Sequence, residues 1–172
     1  MFIIKQETAA DYKEVYELVK AAFATTDFSD GSEPDYLNEI RERNTFIPEL
    51  SLVAEENNTI VGQIVLYQMR IKTDNGEETQ LVLSPLSVLP NCFHQGIGSA
   101  LINEGCRRAK ELGYNAVFLC GNPAYYSRHG FVPSYKYNIF HINDAERNAD
   151  WCMVKELVEG FLHEIEGSID IE

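Results

Sequence analysis

The sequence predicts an α/β domain built on a mixed, mostly antiparallel sheet. Three observations carry this. Segments of strand and helix periodicity follow one another as strand, helix, helix, three strands, helix, strand, helix, two strands. A hairpin signal, Asp74-Asn75-Gly76, joins two long strand segments and makes mid-chain antiparallel. After it, a helix between two strand segments reads as a parallel crossover. The 172 residues are enough for one core, and no repeat, low-complexity run or linker divides them, so 1–172 reads as a single domain.

The elements follow in order. Phe2, Ile3 and Ile4 make a short first strand. Thr8-Ala9-Ala10-Asp11 resembles a capping box with Asp for the usual Glu, and Val15, Leu18, Val19 and Ala22 follow at helical spacing, giving a helix over 9–23. A polar loop with Gly31 and Pro34 covers 25–35, and a second helix covers 35–42. Leu52-Val53-Ala54 is a strand stopped by Asn57-Asn58. A long strand over 60–71, broken by Gly62, and its return over 78–88 flank the hairpin signal. Pro85 in the return strand requires an edge or a bulge. A helix over 96–112 buries Ile97, Leu101, Gly105 and Ala109, closing with Leu112, and Gly113 ends it. Gly105 allows a close approach to the sheet. A buried strand over 116–120, a short helix within 121–131, and strands over 137–142 and 151–157 complete the order.

Composition limits the function. Net charge is −13, from 27 acidic residues against 14 Lys and Arg, which argues against nucleic-acid binding and is compatible with a cationic substrate. No apolar run approaches the ~20 residues that span a bilayer, and the N-terminus lacks a signal-peptide pattern, so a cytoplasmic protein with no membrane partner is expected. Cys92, Cys106, Cys120 and Cys152 form no CxxC pair, so no zinc or redox motif is read and no metal is expected.

The stretch CFHQGIGSAL, Cys92 to Leu101, leads two glycines into a helix. A Walker loop would need a following Lys. A dinucleotide fingerprint would need a third glycine where Leu101 stands, and an acid after the next strand, which instead ends Cys120-Gly121. Glycines that merely permit a tight turn are a further reading. The best reading is a diphosphate on a helix N-terminus, held by bare N–H groups and the helix dipole without any cationic side chain.

LSPLSVLPNCFHQGIGSALINEG resembles motif A of the GCN5-related N-acetyltransferases (GNAT): a strand ending V-x-P, then [Q/R]-x-x-G-x-[G/A] and a helix. AVFLCGNPAYYSRHGF resembles the family's next strand and a helix ending Y-x-x-x-G-F. The pair is also similar to a bacterial branch of uncharacterised predicted acetyltransferases, and the element order fits the family over nearly the whole chain. The resemblance implies an acyl-CoA N-acyltransferase fold with helices on both faces, whose fourth and fifth strands splay apart around the pantetheine arm. It implies acetyl-CoA as cosubstrate, backbone groups of Leu86, Ser87 and Val88 on the pantetheine, and N–H groups of Phe93, His94, Gln95, Gly96, Ile97, Gly98 and Ser99 on the diphosphate. Asn122 and Ser127 fall where the family touches the cofactor. The family places Gln or Arg where Phe93 stands. Phe93 keeps the amide without a side-chain donor, a loss of roughly 1.5–3 kcal/mol if that bond is made to a charged group.

The resemblance further implies direct attack by an amine on the thioester in a ternary complex. Tyr126 falls on the general-acid position and Val88 supplies the oxyanion N–H. From reference values of ~8.5 for a thiol and ~10 for a phenol, full proton transfer to the thiolate is uphill by ~2 kcal/mol, so a hydrogen bond to the leaving sulfur is the expected role. The family's acceptor loops nominate Asp27, Asp30, Glu33, Asp35 and His141 for the substrate side. The acceptor is expected to be an amine, with a tilt toward cationic ones, in a monomer or homodimer. Two alternatives stand beside this reading: a non-catalytic CoA-binding module, and an acidic interaction protein that docks a basic partner.

Overall fold

A computed structural model describes residues 1–27 and 29–172; Phe28, inside the expected 25–35 loop, lies outside the described residues. In chain order the elements are β1 (Ile3–Gln6), α1 (Tyr12–Phe23), α2 (Glu33–Arg41), β2 (Ser51–Glu56), β3 (Thr59–Thr73), β4 (Gly76–Val88), α3 (Ile97–Glu111), β5 (Ala116–Cys120), α4 (Pro123–Tyr126), β6 (Val132–Pro133), β7 (Ile139–His141), β8 (Cys152–Glu156) and β9 (Gly167–Ile169). Every expected element is present, and β6 and β9 are additions. The first strand is shifted later than expected. The first helix begins at Tyr12, because Ala9–Asp11 forms a 3₁₀ turn. There the Asp11 carboxylate accepts the Thr8 N–H at 2.8 Å, the reciprocal half of a capping box.

The chain divides into two compact units, residues 1–67 with 84–108, and residues 68–83 with 109–172. β3 and β4 contribute to both.

In the first unit the sheet order is β1-β2-β3-β4. β1 and β2 are antiparallel from Ile3↔Glu55 to Gln6↔Leu52. β2 and β3 are antiparallel with an irregularity between Ala54 and Glu55. Val15, Leu18 and Val19 of α1, Leu37 and Ile40 of α2, Leu52 and Ile64 of the sheet, and Ile97, Leu101 and Ile102 of α3 are buried here. β3 runs unbroken through Gly62, which marks instead where α3 lies close on the strand. A Cβ there would stand 2.7 Å from Ile97 Cγ2 and 3.0 Å from Leu101 Cδ1. The expected close approach at Gly105 is present as well, with an added Cβ 2.9 Å from Leu66 Cδ1. A buried ion pair between Arg41 and Glu7, into which Ser51 Oγ donates at 2.6 Å, ties α2 to β2.

β4 runs through Pro85. The Leu89 N–H bonds Val61 O at 2.9 Å, and Thr73 and Gly76 flank the two-residue hairpin turn. β4 therefore uses one residue more than β3 over the same span, which is the signature of a bulge. The Gln63 side chain bonds the Pro85 carbonyl at 3.2 Å and Ser87 Oγ at 3.0 Å across it.

In the second unit β4 and β5 are parallel at Leu81↔Val117 and Val82↔Phe118, as the crossover required. β5 pairs antiparallel with β8 over five residues, β8 pairs with β6, and β9 joins β3 and β7. Gly113 takes φ +95° and ends α3, with Tyr114 N–H on Ala109 O at 3.0 Å. Leu112 departs from the expected buried stripe: it is 48% exposed, because the helix closes at Glu111 and the glycine turn carries Leu112 outward.

Candidate active site

Within the first unit, β4 ends at Val88 and the chain makes a 3₁₀ turn over Pro90–Cys92 before Phe93. His94 takes φ +64° and Gly96 φ +81°, two left-handed positions separated by one residue. Backbone of this kind turns successive N–H groups toward one point, a concavity that binds anions. The first helical bond of the loop-to-helix junction runs from Ala100 N–H to Gly96 O at 3.0 Å. The N–H groups of Ile97, Gly98 and Ser99 precede it, and a helix start leaves such donors without an intrahelical acceptor. The helix dipole adds partial positive charge at the same place. Phe93 differs from its neighbours: its N–H already reaches Pro90 O at 3.4 Å, while its ring is 40% exposed and meets His94 edge-on at 6.5 Å. The Phe93 N–H is thereby engaged, and the amides that follow it are those of residues 94–99.

Val88 stands one residue before Leu89, whose N–H bonds β3 at Val61. Alternation along a strand turns the Val88 N–H off β3. Ser87 is buried and its hydroxyl is held by Gln63; Leu86 is half-buried.

In the second unit, β5 runs into Gly121 and Asn122 and then α4. Asn122 caps α4, its Oδ1 accepting the Ala124 N–H at 2.9 Å. Tyr126 ends α4 and its ring is enclosed: Tyr125 lies at 4.9 Å and Phe131 at 5.7 Å between centroids, both near perpendicular. Gly121 forms one wall, since a Cβ there would stand 2.7 Å from Tyr126 Cε2. Gly130, at φ +86°, turns the chain so that Phe131 N–H returns to Tyr126 O at 3.3 Å. Burial pushes the Tyr126 phenol up, and Tyr125 beside it adds to the shift. The phenol is therefore a proton-bearing donor throughout the neutral range. Ser127 is exposed at the C-terminal end of α4. Gly121 and Phe131 were given no role in the sequence, although Cys120-Gly121 and the motif Y-x-x-x-G-F carry them.

The description Acetyltransferase (GNAT) family matches residues 12–131 of the chain. The chain belongs to the GNAT acetyltransferase family. It is 30% identical over 131 residues to YjhQ of Escherichia coli K12, an uncharacterised N-acetyltransferase, across 76% of this chain and 68% of that protein. It is 35% identical to the uncharacterised N-acetyltransferase YhbS of the same organism, across 75% and 72%. Among solved structures it resembles a GNAT family acetyltransferase from Brucella melitensis in complex with acetyl-CoA, with TM-score 0.79 and 25% identity over 100% of this chain and 96% of that one. The crystal structure of E. coli YhbS in complex with CoA aligns with TM-score 0.84, at 22% identity over the superposed chains, covering 99% and 89%.

The residues expected on the acceptor side fall into two groups. Asp27, Asp30, Glu33 and Asp35 lie on one segment before and at the start of α2. Asp30 Oδ1 accepts the Ser32 N–H at 2.9 Å, and the Ser32 hydroxyl, more than this N–H, holds its carboxyl below the usual range. Glu33 Oε2 accepts from Ser29 Oγ at 2.7 Å, and Asp35 Oδ1 from the Tyr16 hydroxyl at 2.9 Å. His141 lies in the second unit, 5% exposed, against the Trp151 ring at 5.0 Å. Its Nδ1 accepts the Asn143 N–H at 3.1 Å, so Nε2 carries the hydrogen and donates to Ile171 O at 2.6 Å. Both ring nitrogens are thereby engaged. Among the described residues no group of three His, Cys, Asp or Glu is placed to hold a metal, and no helix is long and apolar enough to cross a membrane.

Proposed function

We propose that the chain transfers the acetyl group of acetyl-CoA to an amine by direct attack, with residues 1–172 acting as one catalytic domain. The observation that carries this reading is the run of backbone amides at residues 94–99, entered through two left-handed positions and opening α3, within the residues that the family description matches. The cosubstrate is supported by the acetyl-CoA and CoA complexes of the two GNAT neighbours. The amides of residues 94–99 take the diphosphate; backbone groups of Leu86, Ser87 and Val88, with Asn122 and Ser127, take the pantetheine arm. A neutral amine attacks the thioester carbonyl carbon, the Val88 N–H stabilises the oxygen that becomes negative, and the carbon–sulfur bond then breaks. Tyr126 donates a hydrogen bond to the leaving sulfur. Its raised pKa makes full proton transfer costlier than the ~2 kcal/mol of unperturbed groups, so stabilisation without transfer is the assigned role. The amine proton leaves through water or a carboxylate of the 27–35 segment, where Asp27, Asp30, Glu33 and Asp35 lie, because His141 has no open lone pair.

Thiol release from acetyl-CoA against a panel of small, polycationic and peptide amines tests this reading. Turnover with at least one amine, reduced about 10²-fold or more by Tyr126→Phe with acetyl-CoA affinity kept, is the expected result. Cofactor binding with no turnover on any amine would leave a CoA-binding module instead.

A further inference from the structure

β5 and β8 place two cysteines opposite one another. Cys120 and Cys152 are direct Cα partners in the antiparallel ladder. The neighbouring pair, Gly121 and Trp151, is joined by Gly121 N–H on Trp151 O at 2.9 Å. Hydrogen-bonded and non-hydrogen-bonded pairs alternate along such a ladder, so Cys120 and Cys152 form a non-hydrogen-bonded pair, with Cα atoms about 4.5 Å apart and side chains on one face. That separation lies inside the roughly 4.4–6.8 Å over which a disulfide closes without moving the backbone. Ser134 Oγ donates to Cys152 Sγ at 3.2 Å, and Cys120 Sγ lies 4.0 Å from Ile171 O. The donors from Cys120 and Ser134 hold the Cys152 thiol below its usual range, while Cys120 is pushed up by its partner and by burial. The pair therefore gives up one proton more readily than it gives up both. Cys152 is 1% exposed, whereas Cys120 is half-buried and offers the entrance. Cys92 and Cys106 are buried on other segments, Cys106 on α3.

We propose that Cys120 and Cys152 are a reversible dithiol–disulfide site, closed by a small peroxide and reopened by a thiol. Once Cys152 has lost its proton, the Cys120 proton passes to the Cys152 sulfur as the more exposed Cys120 sulfur attacks a peroxide oxygen. The O–O bond breaks, hydroxide leaves and takes up the lost proton as water, and Cys120 becomes a sulfenic acid. The Cys152 sulfur then attacks the Cys120 sulfur. The new S–S bond forms as the S–O bond breaks, and the departing hydroxide leaves with the Cys152 proton as a second water. Two thiols are oxidised, one hydrogen peroxide is reduced, and the ladder needs no rearrangement.

The test is hydrogen peroxide treatment of the folded full-length chain, followed by alkylation, intact mass and peptide mapping. The expected product has lost two hydrogen atoms, keeps two alkylatable thiols at Cys92 and Cys106, and yields a cross-linked 120–152 peptide pair that dithiothreitol dissolves. Cys106→Ala should form the same link. Cys120→Ser and Cys152→Ser should each form no link, with each fold checked by circular dichroism. If Cys152→Ser loses its fold, Cys120→Ser alone decides. Full alkylation of all four cysteines after peroxide would overturn the proposal. So would irreversible oxygenation of Cys120 without a cross-link, or a link between any other two cysteines.

Discussion

Gly121→Ala gives the sharpest test of how Tyr126 is held. Gly121 has no left-handed φ, so alanine is acceptable to its backbone, and the whole effect comes from the added carbon. That carbon would lie 2.7 Å from Tyr126 Cε2, 3.0 Å from Cδ2 and 3.2 Å from Leu119 Cδ1. To regain ordinary contact at 3.4 Å the ring must retreat by about 0.7 Å. Tyr125 and Phe131 enclose it on other sides, so the retreat is a pivot that carries the hydroxyl farther than the ring centre. A hydrogen bond made only to the leaving sulfur is lost by such a shift, and misplacement near 1 Å costs up to ~10²-fold. The expected result is a 10- to 100-fold fall in kcat with KM for acetyl-CoA within about threefold, measured by thiol release. The overpacking itself costs ~1–3 kcal/mol of stability, so urea unfolding fixes the temperature at which the variant is fully folded. In a Tyr126→Phe background the substitution should cost nothing further. A folded Gly121→Ala with wild-type kcat, or an additive double mutant, would refute the argument.

Three more outcomes are expected. Phe93→Gln removes an exposed ring and restores a side-chain donor, so acetyl-CoA binding by calorimetry should tighten about tenfold with unchanged unfolding; equal or weaker binding would mean the ring itself serves the cofactor. Because the chain carries −13 and the cosubstrate is a polyanion, raising ionic strength from 20 to about 200 mM should strengthen acetyl-CoA binding by screening long-range repulsion; weakening would reveal a cationic contact. Glu104, held down to about 2 by Arg107 and then Arg108, stabilises the fold above its unfolded pKa and loses that contribution as pH falls through about 2; Glu104→Gln should cost ~0.5–1 kcal/mol at pH 7, and the difference should vanish near pH 2 in urea titrations.

The elements that were legible in the sequence are those whose signal is local. Val15, Leu18, Val19 and Ala22 repeat at helical spacing and all four are buried, and the Asp74-Asn75-Gly76 signal marks the hairpin. β6 and β9 were not legible, because two- and three-residue strands exist only through their partners: Ile169 is a strand residue because Ile71 lies opposite it. The same division runs through the candidate site. The glycines of GIGSAL and the Tyr126 motif are contiguous in sequence. The fate of His141 was hidden, because its Nε2 bond goes to Ile171, 30 residues away. Leu112 was misplaced for a related reason: periodicity continues past a helix end that only Gly113 decides.

A cradle made of backbone donors is vulnerable at its backbone, and Gly96 is where that vulnerability is measurable. Gly96 takes φ +81° with nothing within 4 Å of an added Cβ. Alanine there meets no protein atom, so its structural cost is the left-handed conformation alone, about 1–2 kcal/mol. A diphosphate resting on the 94–99 amides would meet the new methyl directly. Gly113 is the matched control: φ +95°, equally open space, and a helix end with no assigned ligand. Gly96→Ala and Gly113→Ala should therefore lose similar stability in urea, while only Gly96→Ala loses acetyl-CoA affinity, by tenfold or more. If the two variants bind acetyl-CoA alike, the phosphate does not rest on this loop, and the backbone reading of CFHQGIGSAL fails with it.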